Sequence, residues 1–250
     1  MVLRATVAGL FIVGLWQIIV LLTGVPAFIL PSPADVLFAL IEDAAFLAPH
    51  AGVTALEIVL GLSLGTALGS VSAILMIWFR PLRAWLFPVL VISQALPVFA
   101  LAPILVLWLG YGLASKVAMA VMIIFFPVTA ALYDGLRRTD PGLLDLAQTM
   151  GASSWTILRY IRIPAAIPVF ASGLRVATAV APIGAVVGEW VGSSAGLGYL
   201  MLHWNARMQV DSMFAALAVL AVLAVSLYFL VDHGLRRLTY WQTETDIKRG

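Results

Sequence analysis

With 250 residues, 63% of them apolar and only 10% charged, and a mean hydropathy of +1.07, this chain is no soluble globular domain, which typically carries about 25% charge. It contains no cysteine, which excludes disulfides and thiolate metal sites. The slight basic excess, 14 Lys and Arg against 12 Asp and Glu, sorts by membrane side and gives no reason to invoke nucleic acid.

A membrane span needs about 20 predominantly apolar residues, and six stretches supply them: 5–23, 53–79, 84–109, 115–136, 167–188 and 213–234. The composition therefore predicts an all-α membrane protein of about six transmembrane helices in a single domain, 1–250. The first stretch is longer than the roughly 7–15-residue apolar region of a signal peptide and reads as an uncleaved span. After it, Pro31-Ser32-Pro33 leads into 34–47, where Val36, Leu37, Leu40 and Ile41 alternate with Asp35, Glu42 and Asp43 at helical spacing. That pattern predicts an amphipathic helix at the membrane surface.

In the second span, Gly61, Gly65 and Gly69 recur every fourth residue and predict a close helix–helix contact. Glu57 lies near one end of that span. A carboxylate there faces a cavity or a partner charge, or just reaches water. The third span contains Pro88, Pro97 and Pro103 and reads as one kinked helix, with a broken helix lining a path as the alternative.

Between the fourth and fifth spans, 140–164 read as two short helices joined at a glycine. Asp140 before Pro141 starts the first helix, and Gly151 closes it in the left-handed conformation. Ser153 or Ser154 caps the second, which Pro164 is expected to end. Such a hairpin, carrying Arg159 and Arg162, is a docking element for a cytoplasmic partner. The positive-inside rule agrees. With the N-terminus inside, Arg4, Arg80, Arg83, Arg137, Arg138, Arg159, Arg162, Arg236, Arg237, Lys248 and Arg249 are cytoplasmic. That is 11 of the 14 basic residues. Lys116 and Arg207 fall outside, and Arg175 lies within a span.

Arg175 stands 11 residues past Pro164, about 16 Å along a helix. It reads as a structural ion pair, with contact to an anionic solute as the alternative. Glu189 opens GEWVGSSAGLGYL, whose four glycines predict a bend or re-entrant turn rather than a long helix. Trp190 and Tyr199 there are belt aromatics, or stack on a planar solute. His50, His203 and His233 lie in separate segments without ligand spacing, so no metal site is expected. No nucleophile–base constellation stands out, and no G-x-x-x-x-G-K-[ST] loop for ATP is present.

The hairpin resembles the motif of ABC importer permeases, the membrane subunits of binding-protein-dependent transporters: E-A-A, three residues, G, nine residues, then I-x-L-P. Here Asp145, Leu146 and Ala147 take the first three places, Gly151 the glycine, and Ile161, Ile163 and Pro164 the end. The spacing is kept. Asp145 for Glu, Leu146 for Ala and Ile163 for Leu depart from the pattern. Pro31-Ser32-Pro33, the proline-rich third span and Gly188-Glu189 through Gly196-Leu197-Gly198-Tyr199 look like the branch that includes permeases for sulfonates, taurine, nitrate and thiamine pyrimidine precursors.

The resemblance implies a type I importer permease fold in a bacterial inner membrane. It implies Asp145, Ala147, Gly151, Ile161 and Pro164 as ATPase-coupling residues, and Glu57, Arg175, Glu189, Trp190 and Tyr199 as a solute pathway. Implied partners are a cytoplasmic ATP-binding subunit dimer, an external substrate-binding protein and a second permease copy, with no cofactor in the chain itself. The wording of GEWVG points to a thiamine pyrimidine precursor (hydroxymethylpyrimidine type) as cargo, with sulfonate, taurine or nitrate as alternatives. An ion-coupled secondary transporter is the rival class, and the lack of an evident pair of intramembrane acids speaks against it.

Overall fold

The computed structural model describes residues 2–241; Lys248 and Arg249 lie outside them. Among the described residues, eleven α-helices and one π turn follow one another without a strand. Helix α1 (Val2–Thr23) is peripheral. It is tied to the rest by Trp16, whose Nε1 donates to the Pro31 carbonyl at 3.1 Å and whose ring stands 5.7 Å from Phe214. Helix α2 (Pro33–Glu42) starts at a reciprocal cap. The Ser32 hydroxyl accepts the Asp35 N–H, and the Asp35 carboxylate accepts the Ser32 N–H. The expected surface helix thus stops at Glu42 rather than Leu47, because Asp43 caps it before α3 begins at Ala44.

Helix α3 (Ala44–Trp78) has 35 residues, about 52 Å, well beyond the roughly 30 Å hydrocarbon core. It starts nine residues earlier than the apolar run suggests. Helices α4 (Arg80–Ala95) and α5 (Val98–Leu109) follow. The third span is therefore not one kinked helix but two helices bent by 106°. Pro97 has no N–H to continue the ladder, and Leu96 before it is extended. Helix α6 (Leu113–Arg137) completes the first half.

The hairpin comprises α7 (Pro141–Thr149), α8 (Ser154–Ile157) and a π turn, Leu158–Arg162. The Asp140 side chain accepts the Gly142 N–H at 2.8 Å, Gly151 has φ +77°, and the Ser153 hydroxyl accepts the Thr156 N–H at 3.2 Å. Pro164 does not end the second helix. The chain runs on through the π turn into α9 (Ile163–Gly192), giving one helical stretch of 39 residues from Ser154. Wider turns ahead of the proline absorb its missing donor and ring. Helices α10 (Leu197–Ala206) and α11 (Val210–Leu238) close the fold.

Among the described residues, α3, α6, the Ser154–Gly192 stretch and α11 are long and apolar enough to cross a membrane, and the bent α4–α5 pair is either a broken fifth span or a re-entrant loop. The sixth expected span, in α1, has a shorter apolar stretch, Gly9–Thr23. The centre is a tight trio of α3, α6 and α9 around Ile58, Ile124 and Ala181. Small residues permit it: a Cβ on Gly61 would collide with Ala120 Cβ, and one on Gly184 would sit 2.6 Å from Ala120 Cα. Toward the hairpin, Met76, Leu90, Tyr133 and Ala166 form a second core, while Leu47, Leu197, Trp204 and Ala215 form a third at the opposite end.

Candidate functional site: a buried charge cluster and an exposed hairpin

Opposite the hairpin, three helices bring charged groups into the protein interior. On α3, His50, Thr54 and Glu57 lie on one face at i, i+4 and i+7. Helix α6 contributes Lys116, and α9 contributes Glu189, followed one turn later by Ser193. Glu57, Glu189 and Lys116 are 0%, 1% and 5% exposed, burial that charges tolerate only when paired and hydrogen-bonded. Lys116 Nζ lies 3.1 Å from Glu57 Oε1 and donates to the Ser193 hydroxyl at 2.6 Å. The Lys116–Glu57 contact is an ion pair without hydrogen-bond alignment, and neither Glu57 oxygen has a hydrogen-bond partner.

The cluster also seals a break in the backbone. Glycines do not stop α9 at Gly188 as expected; it continues through Glu189 and Trp190 to Gly192, and the chain turns only at Ser193–Gly196. Gly188 and Gly192 face Lys116 and Val106 at close range, so both serve packing within the helix. The first N–H groups of α10 have no intrahelical carbonyl to meet. Three of them are taken by side chains: Gly196 N–H donates to His50 Nδ1 at 2.9 Å, Leu197 N–H to Thr54 Oγ1 at 2.8 Å, and Gly198 N–H to Glu189 Oε2. Thr54 Oγ1 in turn donates to Glu189 Oε1 at 2.6 Å. Tyr199 is half-buried and stacks between His50 and His203, at 6.1 and 5.8 Å.

Sequence reasoning counted Lys116 among the basic residues on the outer side and saw no paired intramembrane acids. The fold adds that Lys116 is buried and brings Glu57 and Glu189 into the same interior cluster. Lys116 is the fourth residue of α6 and points inward between two glutamates. The signal for Thr54 and His50 was present, since they share Glu57's helical face. Nothing local marked Lys116, because a lysine near a span end ordinarily reaches water.

The other expected pathway residues lie apart. Trp190 is 47% exposed. Arg175 pairs with Asp232 of α11 through Nε to Oδ1 at 2.6 Å, and Asp232 also holds Arg236 at 2.8 Å. Arg175 is the thirteenth of the 30 residues of α9, near that helix's midpoint, and is held there by Asp232.

Within the hairpin, Asp145 and Gly151 are exposed, Ala147 is buried, and Ile161 and Pro164 are half-buried. The exposed face is strongly apolar: Leu143, Leu146, Met150 and Trp155 all stand at least half in the open. Behind it, Trp155 packs edge-on against Trp78 at 5.9 Å, and Arg162 donates to the Leu136 carbonyl at 3.3 Å. A rigid, capped hairpin with an apolar face is what a docking element requires.

Residues 65–240 match the family described as the binding-protein-dependent transport system inner membrane component. The chain belongs to this family. This permease is 57% identical over 92% of its length to a probable ABC transporter permease protein of Haemophilus influenzae, covering 96% of that protein. It is 37% identical to the formylaminopyrimidine transport permease protein ThiX of Halalkalibacterium halodurans, with 89% of each chain covered. It is 38% identical to the riboflavin transport system permease protein RibX of Chloroflexus aurantiacus, covering 91% of this chain and 85% of that one. A crystal structure of an amino acid ABC transporter with histidines superposes with a TM-score of 0.66 at 16% identity, covering 80% of this permease and 97% of that chain. The fold is that of a type I ABC importer permease, and the chain is a multi-pass membrane subunit of such an importer.

Proposed function

We propose that this permease moves a pyrimidine precursor of thiamine into the cytoplasm, passed to it by an external binding protein and driven by a cytoplasmic ATP-binding dimer. The 37% identity to a formylaminopyrimidine transport permease over nearly the whole chain carries the cargo assignment. Riboflavin is the second reading, favoured by the relative at 38% identity. Both are flat heterocycles, and a permease that accepts one presents aromatic or apolar faces with few polar contacts. The exposed Trp190 suits that role. Thr54 bonds Glu189 and Lys116 pairs with Glu57 across three helices, and we assign them to holding the helices together rather than to touching cargo.

Two copies of the chain enclose the route, and both termini face the cytoplasm. The gathering of Arg83, Arg137, Arg138, Arg159 and Arg162 around the hairpin end supports that orientation. The ATP-binding subunits dock on the exposed apolar face of α7 and α8, with Asp145 and Gly151 at its surface. The helical stretch Ser154–Gly192 is unbroken, about 58 Å long. A pull at the hairpin is therefore delivered as a rigid-body tilt to the Glu189 cluster at its far end. That is alternating access driven by a partner, with the chain supplying the lever and not the chemistry.

The test is affinity isolation of this chain from native membranes. Co-elution of an ATP-binding subunit and a binding protein loaded with a formylaminopyrimidine or hydroxymethylpyrimidine is the expected result. A yellow, fluorescent binding protein would replace the cargo with riboflavin, and a sulfonate ligand would replace it with the sulfonate alternative. ATP-independent uptake by the isolated chain would overturn the importer mechanism itself.

A further inference from the structure

Behind the hairpin lies a 370 Å³ cavity with a mixed lining. Leu144 and Gln148, one turn apart on α7, line it from the side of that helix away from Leu143, Leu146 and Met150. The cavity therefore backs the apolar docking face and is separate from it. Ile77 and Trp78, the last two residues of α3, line it from the membrane span. Its polar groups are Gln148, Ser154 and Arg162.

Arg162 gives the cavity a permanent cation. One terminal nitrogen donates to the Leu136 carbonyl at 3.3 Å, which leaves the guanidinium most of its five N–H donors. The three ion pairs among the described residues are Lys116–Glu57, Arg175–Asp232 and Arg236–Asp232, so none of their carboxylates pairs with Arg162. A half-buried arginine beside an amide and a hydroxyl is suited to a phosphate group.

The cavity also adjoins an apolar track. Trp78 ends a stripe on α3 made of Leu64, Leu68, Val71, Leu75 and Trp78, spaced by four, three, four and three residues and each at least 37% exposed. The stripe covers 14 residue steps, about 21 Å, enough to run through one leaflet of a roughly 30 Å hydrocarbon core. Helix–helix contacts in membranes use small residues, and α3 already places Gly61, Gly65 and Gly69 against α6. A bulky aliphatic stripe ending at a tryptophan is the face that lipid chains cover.

A cation and two hydrogen-bonding groups at the end of such a stripe match the head and tail of an anionic amphiphile. We propose that the cavity holds the headgroup phosphate of an anionic phospholipid, with its chains along the α3 stripe. A zwitterionic headgroup brings its own cation toward Arg162 and fits less well. The bound lipid bridges the end of α3 to the back of the hairpin, beside the Trp155–Trp78 contact. The proposal needs only that the chain is a membrane subunit, and neither the cargo nor the orientation enters it.

The complete transporter, stripped of lipid in detergent, is titrated with phosphatidylglycerol or with phosphatidylcholine of the same chains, and bound lipid is counted by native mass spectrometry. Phosphatidylglycerol should bind about fivefold tighter, the factor that one basic residue supplies beside an anionic lipid. Gln148→Glu sets a carboxylate in the cavity with Arg162 and should abolish the preference, as should Arg162→Gln. Arg237→Gln, which removes an exposed arginine of α11 outside the cavity, should keep it.

Equal binding of the two lipids, or a preference that survives Gln148→Glu, would overturn the proposal. Displacement of phosphatidylglycerol by inorganic phosphate at equal concentration would also overturn it, making the cavity a free-anion site with no role for the stripe. Lipid held by the permease alone but absent from the complete transporter would assign the cavity to the ATP-binding subunits instead. Ready disulfide formation between Leu68→Cys in two copies, in a chain otherwise without cysteine, would assign the stripe to a second permease and refute the lipid.

Discussion

Gly196→Ala isolates the contribution of the sealed break. Gly196 has φ +108° and ψ +164°, a region that side-chain-bearing residues enter at a penalty of about 1–3 kcal/mol. A Cβ placed there would also overlap the Glu189 carboxyl, which cannot stay where it is. Moving it away breaks the bonds from the Thr54 hydroxyl and the Gly198 N–H, each worth about 1.5–3 kcal/mol for a charged acceptor. The sum is about 4–9 kcal/mol, a large share of an ordinary folding free energy of about 5–15 kcal/mol. The melting temperature of the purified transporter should fall by about 10 °C or more, at roughly 2–4 °C per kcal/mol. Gly52→Ala is the matched control: it lies within α3, and a Cβ there meets nothing within 4 Å. Replacing that helical glycine should leave stability unchanged or raise it by up to about 1 kcal/mol. If Gly196→Ala melts with the parent, the Glu189 clasp on α10 is not a stabilising element.

Lys116→Met leaves the buried Glu57 without its cation and should cost about 3–5 kcal/mol, most of it recovered in the double variant with Glu57→Gln. A single variant as stable as the double would remove the ion pair from the account. Asp232→Asn should cost only about 1 kcal/mol, because Arg175 and Arg236 are partly exposed and screened; a drop in melting temperature beyond a few degrees would mean that this pair holds α11 to α9 more firmly than its exposure implies. Gly151→Asp has open space around it, and its left-handed backbone should cost the fold about 1–2 kcal/mol. Its membrane level should therefore match the parent while ATP-driven uptake is lost, and uptake at the parent's rate would take the hairpin out of the coupling path.

What could be read in advance was local. Asp140, Ser153 and Gly151 declare the hairpin because a cap acts within three residues of itself, and the Gly61–Gly65–Gly69 ridge declares a close contact because spacing alone puts it on one face. Pro164 misled for the complementary reason: whether a proline stops a helix depends on whether earlier turns widen, and no residue type signals a π turn. The third span failed similarly, since three prolines permit a bend or a break and only packing against α6 chooses between them. Lys116 was out of reach altogether. Its partners sit 59 and 73 residues away in sequence (57 to 116, and 116 to 189), and a span-end lysine carries no mark of which way it turns.

The sealed Ser193–Gly196 break and the hairpin acquire a common logic through α9. A long helix transmits tilt well but bends poorly, so both its ends must be fixed to something if a pull at one is to move the other. At the hairpin end the Trp155–Trp78 contact and the Arg162–Leu136 bond anchor it to α3 and α6. At the far end Glu189 and Ser193 anchor it to the same two helices through Thr54 and Lys116. Helices α3, α6 and α9 thus form one rigid body, clasped at both ends by specific polar or aromatic contacts and along its middle by glycines too small to leave a gap. Helices α4 and α5 lie outside that clasp. A body stiff enough to carry motion from its docking end to its far end is what transport driven by a partner subunit demands.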